Sequence, residues 1–135
     1  MKFTDAYGKT RNLKNAKKYL IDWNKPSRSK FQTQVKKFLY KYWKNDIVFE
    51  EFRVVGSRLS LDFYNANKKI AVEVQGAQHT KYVKFFHKNR FKYCDQLKRD
   101  EKKLDFCKAN DIKLAEIYPK DVVTASLFED QEIYL

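Results

Sequence analysis

The sequence predicts a single-domain α/β sandwich: a small mixed sheet, in which a three-strand meander is followed by a crossover helix and a fourth strand, with helices on its faces. Three observations lead to this prediction. A helical apolar stripe comes first, the apolar period then changes to two over three consecutive segments, and a long helical segment precedes a fourth apolar strand. With 135 residues, 43% of them apolar, and only three glycines and two prolines, the chain can fill one core.

The first core helix is predicted over about residues 28–44. Ser27 or Ser29 can cap its start. Its apolar positions recur with helical spacing and define one stripe. They are Phe31, Val35, Phe38, Leu39 and Tyr42.

Three strands are predicted next, over 48–55, 59–64 and 70–75, with a turn at 56–58 and a loop of turn-forming residues at 65–69. Strict alternation divides the second and third strands into two faces. The apolar face is Leu59, Leu61, Phe63, Ile70, Val72 and Val74, and the other face is Ser60, Asp62, Tyr64, Ala71, Glu73 and Gln75.

A second helix is predicted over about 89–109 and a fourth strand over 112–118. Leu97 and Leu104 lie seven residues apart and predict the inward stripe of this helix, with Tyr93, Cys94 and Cys107 on the same side. Pro119 then begins a short acidic helix or tail.

Charge is distributed unevenly along the chain. Residues 1–45 carry 13 lysines and arginines against two acids, residues 46–120 carry 16 against 11, and residues 121–135 carry none against four. We therefore divide the chain into a basic N-terminal arm or helix (1–27), a core (28–118) and an acidic C-terminal helix or tail (119–135). The net charge of +12 favours a polyanionic partner, with nucleic acid preferred over acidic protein or membrane.

Membrane and secretory classes are not expected. No apolar stretch approaches the ~18 residues that span a bilayer, and no apolar signal segment follows Met1. Two cysteines are too few for a disulfide scaffold or a cysteine zinc site. We expect reduced thiols, a cytoplasmic location and no membrane partner.

Two acid-free windows predict contact with nucleic acid. One runs from Trp23 to Asn45; the other lies between Glu73 and Asp95, where lysines and arginines interleave with aromatic residues. Cations suit phosphates and aromatics suit exposed bases, although a solvated basic surface would share this pattern. The candidate nucleic-acid-binding residues are Lys30, Lys36, Lys37, Lys41, Arg58, Gln78, Lys81, Lys84, Lys88 and Arg90.

Asp62 and Glu73 are the first candidates for chemistry. If the hairpin turns at Asn67 and Lys68, the two acids are cross-strand neighbours on one face. Like charges at that spacing repel unless a cation lies between them, and two carboxylates with water and a substrate phosphate are a usual Mg²⁺ arrangement. The alternative is an amphipathic hairpin that exposes two acids to water.

The residues after Glu73 favour a functional site. Gln75 lies on the same face, Gly76 permits close approach of backbone or phosphate, and Gln78 and His79 follow. His79 can act as a general base, since an unperturbed histidine titrates near pH 6.5, and a structural role is the alternative.

Three further acids remain open. Asp100 falls between Leu97 and Leu104 on the predicted inward stripe, where a carboxylate needs a cationic partner, a metal or a catalytic role. Glu50 or Glu51 could supply a third acid to the site, and the sequence does not distinguish between them.

The spacing of Asp62 and Glu73-Val74-Gln75 resembles the PD-(D/E)XK nuclease core, with Gln75 where that motif usually has lysine. The string at 72–79 (Val-Glu-Val-Gln-Gly-Ala-Gln-His) resembles the E-x-D-G-x-x-H signature of nucleases related to very-short-patch-repair endonucleases, including phage-type homing endonucleases. The likeness continues from Asp100 into the last strand and covers about 28–118. Gln32, where that group often has Glu, and Gln75 depart from it.

The resemblance implies a metal-dependent DNA endonuclease. Asp62 and Glu73 would hold Mg²⁺, with Mn²⁺ able to substitute and the Val74 carbonyl as a further ligand, while Gln75 orients water and His79 takes the proton. Asp100 would complete the catalytic set. Alternatives are a structure-selective nuclease for junctions or branched DNA, and a non-catalytic nucleic-acid-binding protein on a degenerate nuclease fold. DNA is the expected partner; the subunit number, including a homodimer or higher homo-oligomer, stays open.

Overall fold

A computed structural model describes residues 1–76 and 90–135, with side chains described in the second range from Cys94 onward. The predicted α/β architecture is confirmed. The elements are the strands β1 (Lys2–Thr4) and β2 (Thr10–Asn12), a 3₁₀ turn (Ala16–Tyr19), α1 (Lys30–Trp43), β3 (Val48–Arg53), β4 (Ser60–Asn65), β5 (Ile70–Val74), α2 (Arg90–Ala109), β6 (Lys113–Ile117) and α3 (Ala125–Glu129).

The main sheet has the strand order β3-β4-β5-β6. The β3–β4 and β4–β5 pairs are antiparallel, so these strands form the predicted meander, and β6 is parallel to β5. A parallel neighbour requires a crossover connection, and α2 is part of it. The carboxyl ends of β5 and β6 and the start of β4 therefore share one edge of the sheet.

Helix α1 begins at the predicted place but presents a different stripe. Of the two candidate caps, Ser29 is the one whose side chain accepts a hydrogen bond from the Gln32 N–H, at 3.0 Å. Trp43 is fully buried and Tyr42 is 42% exposed, so the predicted place of Tyr42 on the buried stripe is wrong. Trp43 follows Leu39 by four residues and continues the stripe. Tyr42, one residue earlier than Trp43, points about 100° away from Trp43 around the helix axis.

The predicted inward stripe of α2 is wrong for Leu97, Leu104 and Cys94 but correct for Cys107 and Asp100. Leu97 and Leu104 are 49% and 40% exposed, and Cys94 is exposed while Cys107 is buried. Polar side chains face inward instead, because this part of the helix covers a polar cavity rather than an apolar core. Gln96, Asp100 and Lys103 are half-buried on that side.

The strict alternation predicted for β4 is broken. Leu61 packs in one apolar cluster with Phe52, its register partner on β3, whereas Phe63 packs in a second cluster beneath α1. Leu59 packs against the same cluster as Leu61. Glu51 has φ 52°, a left-handed conformation that interrupts the pleat of β3, so that Phe52 and the residues opposite it change cluster.

Both terminal segments pack on this core. Residues 1–27, expected as a basic arm or helix, form the β1–β2 hairpin and one 3₁₀ turn, and Phe3 and Leu13 enter the first cluster. In the acidic C-terminal segment, Phe128 of α3 is buried and stacks on Phe38 with ring centroids 5.8 Å apart.

A buried ion pair joins α1 to β3. The Lys36 ammonium lies 2.8 Å from Glu50 Oε1 and also donates to the Lys25 carbonyl at 2.8 Å. Ser27 and Gln32 donate to the other Glu50 oxygen. These five groups satisfy one another, which a buried charge requires.

We predict that Lys36→Met lowers the free energy of unfolding by about 3 kcal/mol, because it leaves the Glu50 carboxylate without its buried cation. Urea unfolding followed by circular dichroism measures this. Lys37→Met, at an exposed neighbouring position, is the control and should change stability by less than about 0.5 kcal/mol. Equal midpoints for both variants would contradict a stabilising role for this pair.

Candidate functional site

Asp62 on β4 and Glu73 on β5 are neighbours, as their spacing predicted. Both are buried, at 9% and 6% exposure, directly beyond the Phe63–Val72 register pair. The Asp62 N–H donates to Glu73 Oε1 at 3.3 Å, and the Val74 N–H donates to Asp62 Oδ2 at 2.7 Å. Backbone groups of the two strands therefore hold both carboxylates in place.

This environment disfavours two free negative charges. Burial raises the pKa of Asp62 to about 6, although the hydrogen bond from Val74 opposes the rise. Burial, and then the charge of Asp62, raise the pKa of Glu73 to about 8. The pair therefore favours a proton or a cation between the strands.

Lys103 supplies one cation. Its ammonium lies 3.2 Å from Glu73 Oε2, and its side chain is 16% exposed. Its positive charge lowers the pKa of both acids against the larger effect of burial. Lys103 was not among the sequence candidates; its spacing of three from Asp100 and four from Cys107 was the available indication of a shared helix face.

The acid pair opens into a cavity of about 780 Å³. Five parts of the chain line it: the start of α1, the β3–β4 turn with β4, the end of β5, α2, and the segment after β6. The lining residues are Arg28, Ser29, Phe31, Gln32, Arg58, Leu59, Ser60, Asp62, Glu73, Val74, Gln75, Gly76, Gln96, Arg99, Asp100, Lys103 and Pro119. The arginines among them are exposed.

The cavity thus brings together several predicted site residues. Gln75 is 7% exposed, and its backbone N–H donates to the Ile117 carbonyl at 2.8 Å, which places it at the β5–β6 edge. Asp100 is half-buried on the inward side of α2, and one of its oxygens accepts from Gln96 Nε2 at 3.0 Å. Gln78 and His79 lie outside the described residues.

The two candidates for a third acid differ in their partners. Glu50 is held by the buried Lys36. Glu51 accepts from Arg28 and from Gln32 Nε2, both at 3.0 Å, and its charge contributes to raising the pKa of Asp62. Glu51 is therefore the acid whose charge reaches the pair.

The donor set fits a hard divalent cation. In the part of the chain that the structure describes, no group of three or more histidine, cysteine, aspartate and glutamate residues could hold a metal ion. Structural zinc sites need four such protein ligands. Mg²⁺ is commonly held by one or two carboxylates and fills its other positions with water and phosphate. Asp62 and Glu73 can supply the carboxylates, and the cavity beside them has room for the water and the phosphate.

One predicted phosphate contact requires correction. Lys36 is 2% exposed and bonded to Glu50, so its ammonium is not available to DNA; its position on the helix places it on the buried stripe. Lys30, Lys37 and Lys41 are exposed on α1, and Arg58 is exposed beside the cavity. Lys81, Lys84 and Lys88 lie outside the described residues, as does the side chain of Arg90, the first residue of α2.

A second cavity, of about 540 Å³, lies at the start of α1. Lys30 and Lys37 line it, and Arg28 and Ser29 line both cavities. The basic surface of α1 is therefore continuous with the acid pair's cavity.

None of the helices in the described ranges is long and apolar enough to cross a membrane.

Comparisons with known proteins find viral relatives that match about half of this chain. The chain is 41% identical over 59 residues to "Uncharacterized protein 307L" of Invertebrate iridescent virus 6, covering 44% of this chain and 30% of that protein. It is 34% identical over 64 residues to "Uncharacterized protein 033L" of Invertebrate iridescent virus 3, covering 47% of this chain and 33% of that protein. It is 43% identical over 63 residues to "Uncharacterized protein 094L" of Frog virus 3 (isolate Goorha), covering 46% of this chain and 41% of that protein.

The matches therefore span about a third of the length of these curated relatives. No family model matches the chain, and no solved structure matches it.

We predict that, without metal, the protein loses stability as the pH rises from about 4 to about 8. The folded pKa values of Asp62 and Glu73 lie above their ordinary values, so the folded state binds more protons than the unfolded state in this window. The measurement is the free energy of unfolding in urea and EDTA at several pH values.

Glu73→Gln is the matched variant, since it removes one titrating group while keeping its shape. Its loss of stability with rising pH should be smaller than that of the wild type. Parallel pH profiles for the two proteins would show that the acid pair is not the source of the dependence.

Proposed function

We propose that this protein is a metal-dependent DNA endonuclease of very-short-patch-repair-like or homing type, built on a core that resembles PD-(D/E)XK nucleases. The observation that carries the proposal is the buried Asp62–Glu73 pair on adjacent strands, open to a cavity beside three arginines. The acid pair can bind a divalent cation, and the surrounding arginines can bind phosphate.

Asp62 and Glu73 would hold Mg²⁺ or Mn²⁺, with the Val74 carbonyl as a further ligand. When bound, the metal polarises the phosphate and lowers the pKa of a bound water. Gln75 has no basic group and therefore orients water rather than accepting its proton. His79 is proposed as the proton acceptor, and Asp100, which lines the cavity, as a further member of the catalytic set.

The surface at the start of α1 is the proposed DNA path. Arg28 connects the second cavity, with Lys30 and Lys37, to the cavity of the acid pair. Phosphates on either side of the cleaved bond would lie along this surface, because lysine and arginine side chains supply charge-assisted hydrogen bonds to phosphate oxygens.

The relatives' viral origin supports an intracellular site of action. We place the protein in the cytoplasm of a host cell, with DNA as its partner.

We predict that Asp62→Asn and Glu73→Gln each abolish Mg²⁺-dependent cleavage but leave DNA binding largely intact, because the metal ligands and the phosphate contacts are different residues. The assay incubates supercoiled plasmid and branched DNA with Mg²⁺, Mn²⁺ or EDTA, and follows binding separately in Ca²⁺. Branched DNA tests the structure-selective alternative in the same experiment.

The control variants are Glu101→Gln and Asp105→Asn, which remove exposed acids of α2. They should cut as the wild type does. Cleavage by either pair variant at the wild-type rate would refute the site. DNA binding without cleavage of any substrate by the wild type would favour the non-catalytic alternative.

We predict a steep salt dependence of DNA binding, with a log–log slope of roughly −0.9 per phosphate contact. Replacing Lys37 and Lys41 together by Gln should reduce this slope by up to about two units and weaken all sequences alike, since phosphate contacts carry no base information. Fluorescence anisotropy at several salt concentrations measures it. Lys68→Gln with Lys69→Gln, in the hairpin loop at the far end of β4 and β5, is the control and should leave the slope unchanged.

A further inference from the structure

Lys103 both pairs with Glu73 and lines the cavity of the acid pair. Its ammonium lies 3.2 Å from Glu73 Oε2, and the same side chain lines the cavity that Arg28, Arg58 and Arg99 also line. Those arginines are exposed, whereas the Lys103 side chain is 16% exposed. Lys103 is therefore the least exposed of the four cations that line the cavity, and it contacts Glu73.

The charges of the site support a second partner for this ammonium. Asp62 and Glu73 carry two negative charges when ionised, and Lys103 offsets one of them. A divalent cation at the two carboxylates would leave the ammonium in excess by one positive charge. The phosphate group of a DNA strand carries one negative charge. Its arrival would bring the summed charge of Asp62, Glu73, Lys103, the metal and the phosphate to zero.

We propose that Lys103 binds the phosphate at the cleaved bond, and that it balances Glu73 only while no metal is present. This inference rests on the proposed nuclease function. Gln75 and Gln96 also line the cavity but carry no charge, and Asp100 would repel a phosphate. Arg99, another cation of α2 that lines the cavity, is exposed, whereas Lys103 contacts Glu73 directly.

A buried counter-ion with no other task would behave differently from a phosphate ligand. If Lys103 only supported Glu73, its removal should weaken metal binding, as the loss of partners that orient metal ligands typically does by about 10–100-fold. If Lys103 competes with the metal for Glu73 and then binds phosphate, its removal should strengthen metal binding and slow cleavage. The two roles therefore predict opposite changes in metal affinity when Lys103 is replaced.

The experiment compares the full chain with Lys103→Gln, Lys103→Arg and Lys102→Gln. Lys102 is exposed on the same helix and is the matched control. Mn²⁺ binding without DNA is measured by electron paramagnetic resonance titration, and plasmid cleavage is measured under saturating Mn²⁺. Thermal unfolding checks each fold, and Lys103→Met, which keeps a long apolar stem, replaces the Gln variant if that variant does not fold.

We expect Lys103→Gln to bind Mn²⁺ more tightly than the wild type and to lower kcat by about 10²–10³-fold, the cost of removing one group that stabilises the transition-state charge. Lys103→Arg should keep the wild-type Mn²⁺ affinity and recover part of the rate. Lys102→Gln should match the wild type in both measurements.

Weaker Mn²⁺ binding by Lys103→Gln, unchanged cleavage, or failure of both neutral variants to fold would overturn the proposal and leave Lys103 as a structural counter-ion. If the wild type cleaves no DNA, the nuclease function itself fails. If the wild type cleaves and Lys103→Gln cleaves equally well, only the role of Lys103 fails.

Discussion

The burial of two carboxylates on neighbouring strands is the constraint on which the rest of this structure depends. Asp62 and Glu73 are fixed by backbone hydrogen bonds at the edge of the sheet where β4 begins and β5 ends. Burial raises the pKa of both acids, and the charge of Asp62 raises that of Glu73 further, so the site favours a proton or a positive charge. The parallel β6 and the crossover through α2 satisfy this need, because they bring Lys103 to Glu73 across 30 residues of sequence.

Two lysine–glutamate pairs of low exposure, with different surroundings, lie in the part of the chain that the structure describes. Ser27 and Gln32 donate hydrogen bonds to Glu50, Lys36 donates to Glu50 and to the Lys25 carbonyl, and the pair joins α1 to β3. Lys103 and Glu73 face a cavity of about 780 Å³. An enclosed pair has satisfied its charges and serves the fold, whereas an open pair can exchange a partner for a ligand. This contrast is the physical basis for assigning function to the second pair.

Helix α2 shows how such a site changes ordinary packing. Its Leu97 and Leu104 are exposed while Gln96, Asp100 and Lys103 face inward, which reverses the usual order of burial. The reversal is confined to the part of the helix beside the cavity, since Phe106 and Cys107 further on are fully buried. Burial also raises the pKa of Cys107 to about 12, so this thiol stays protonated beside the acids.

The sequence by itself determined the order of helices and strands from α1 to β6, the β4–β5 hairpin register and the adjacency of Asp62 and Glu73, because period-two alternation and a short loop are local properties. It did not predict the β1–β2 hairpin. It did not determine which helix faces turn inward. Tyr42 was misplaced because its neighbour Trp43 continues the buried stripe. Leu97 was misplaced because apolar spacing cannot show that a helix packs on a polar cavity. Lys36 was misplaced because spacing cannot show that a lysine has a glutamate partner on another element. Only the tertiary structure brought Lys103 to Glu73 and joined Arg28, Arg58 and Arg99 at one cavity, since these contacts link segments far apart in the chain.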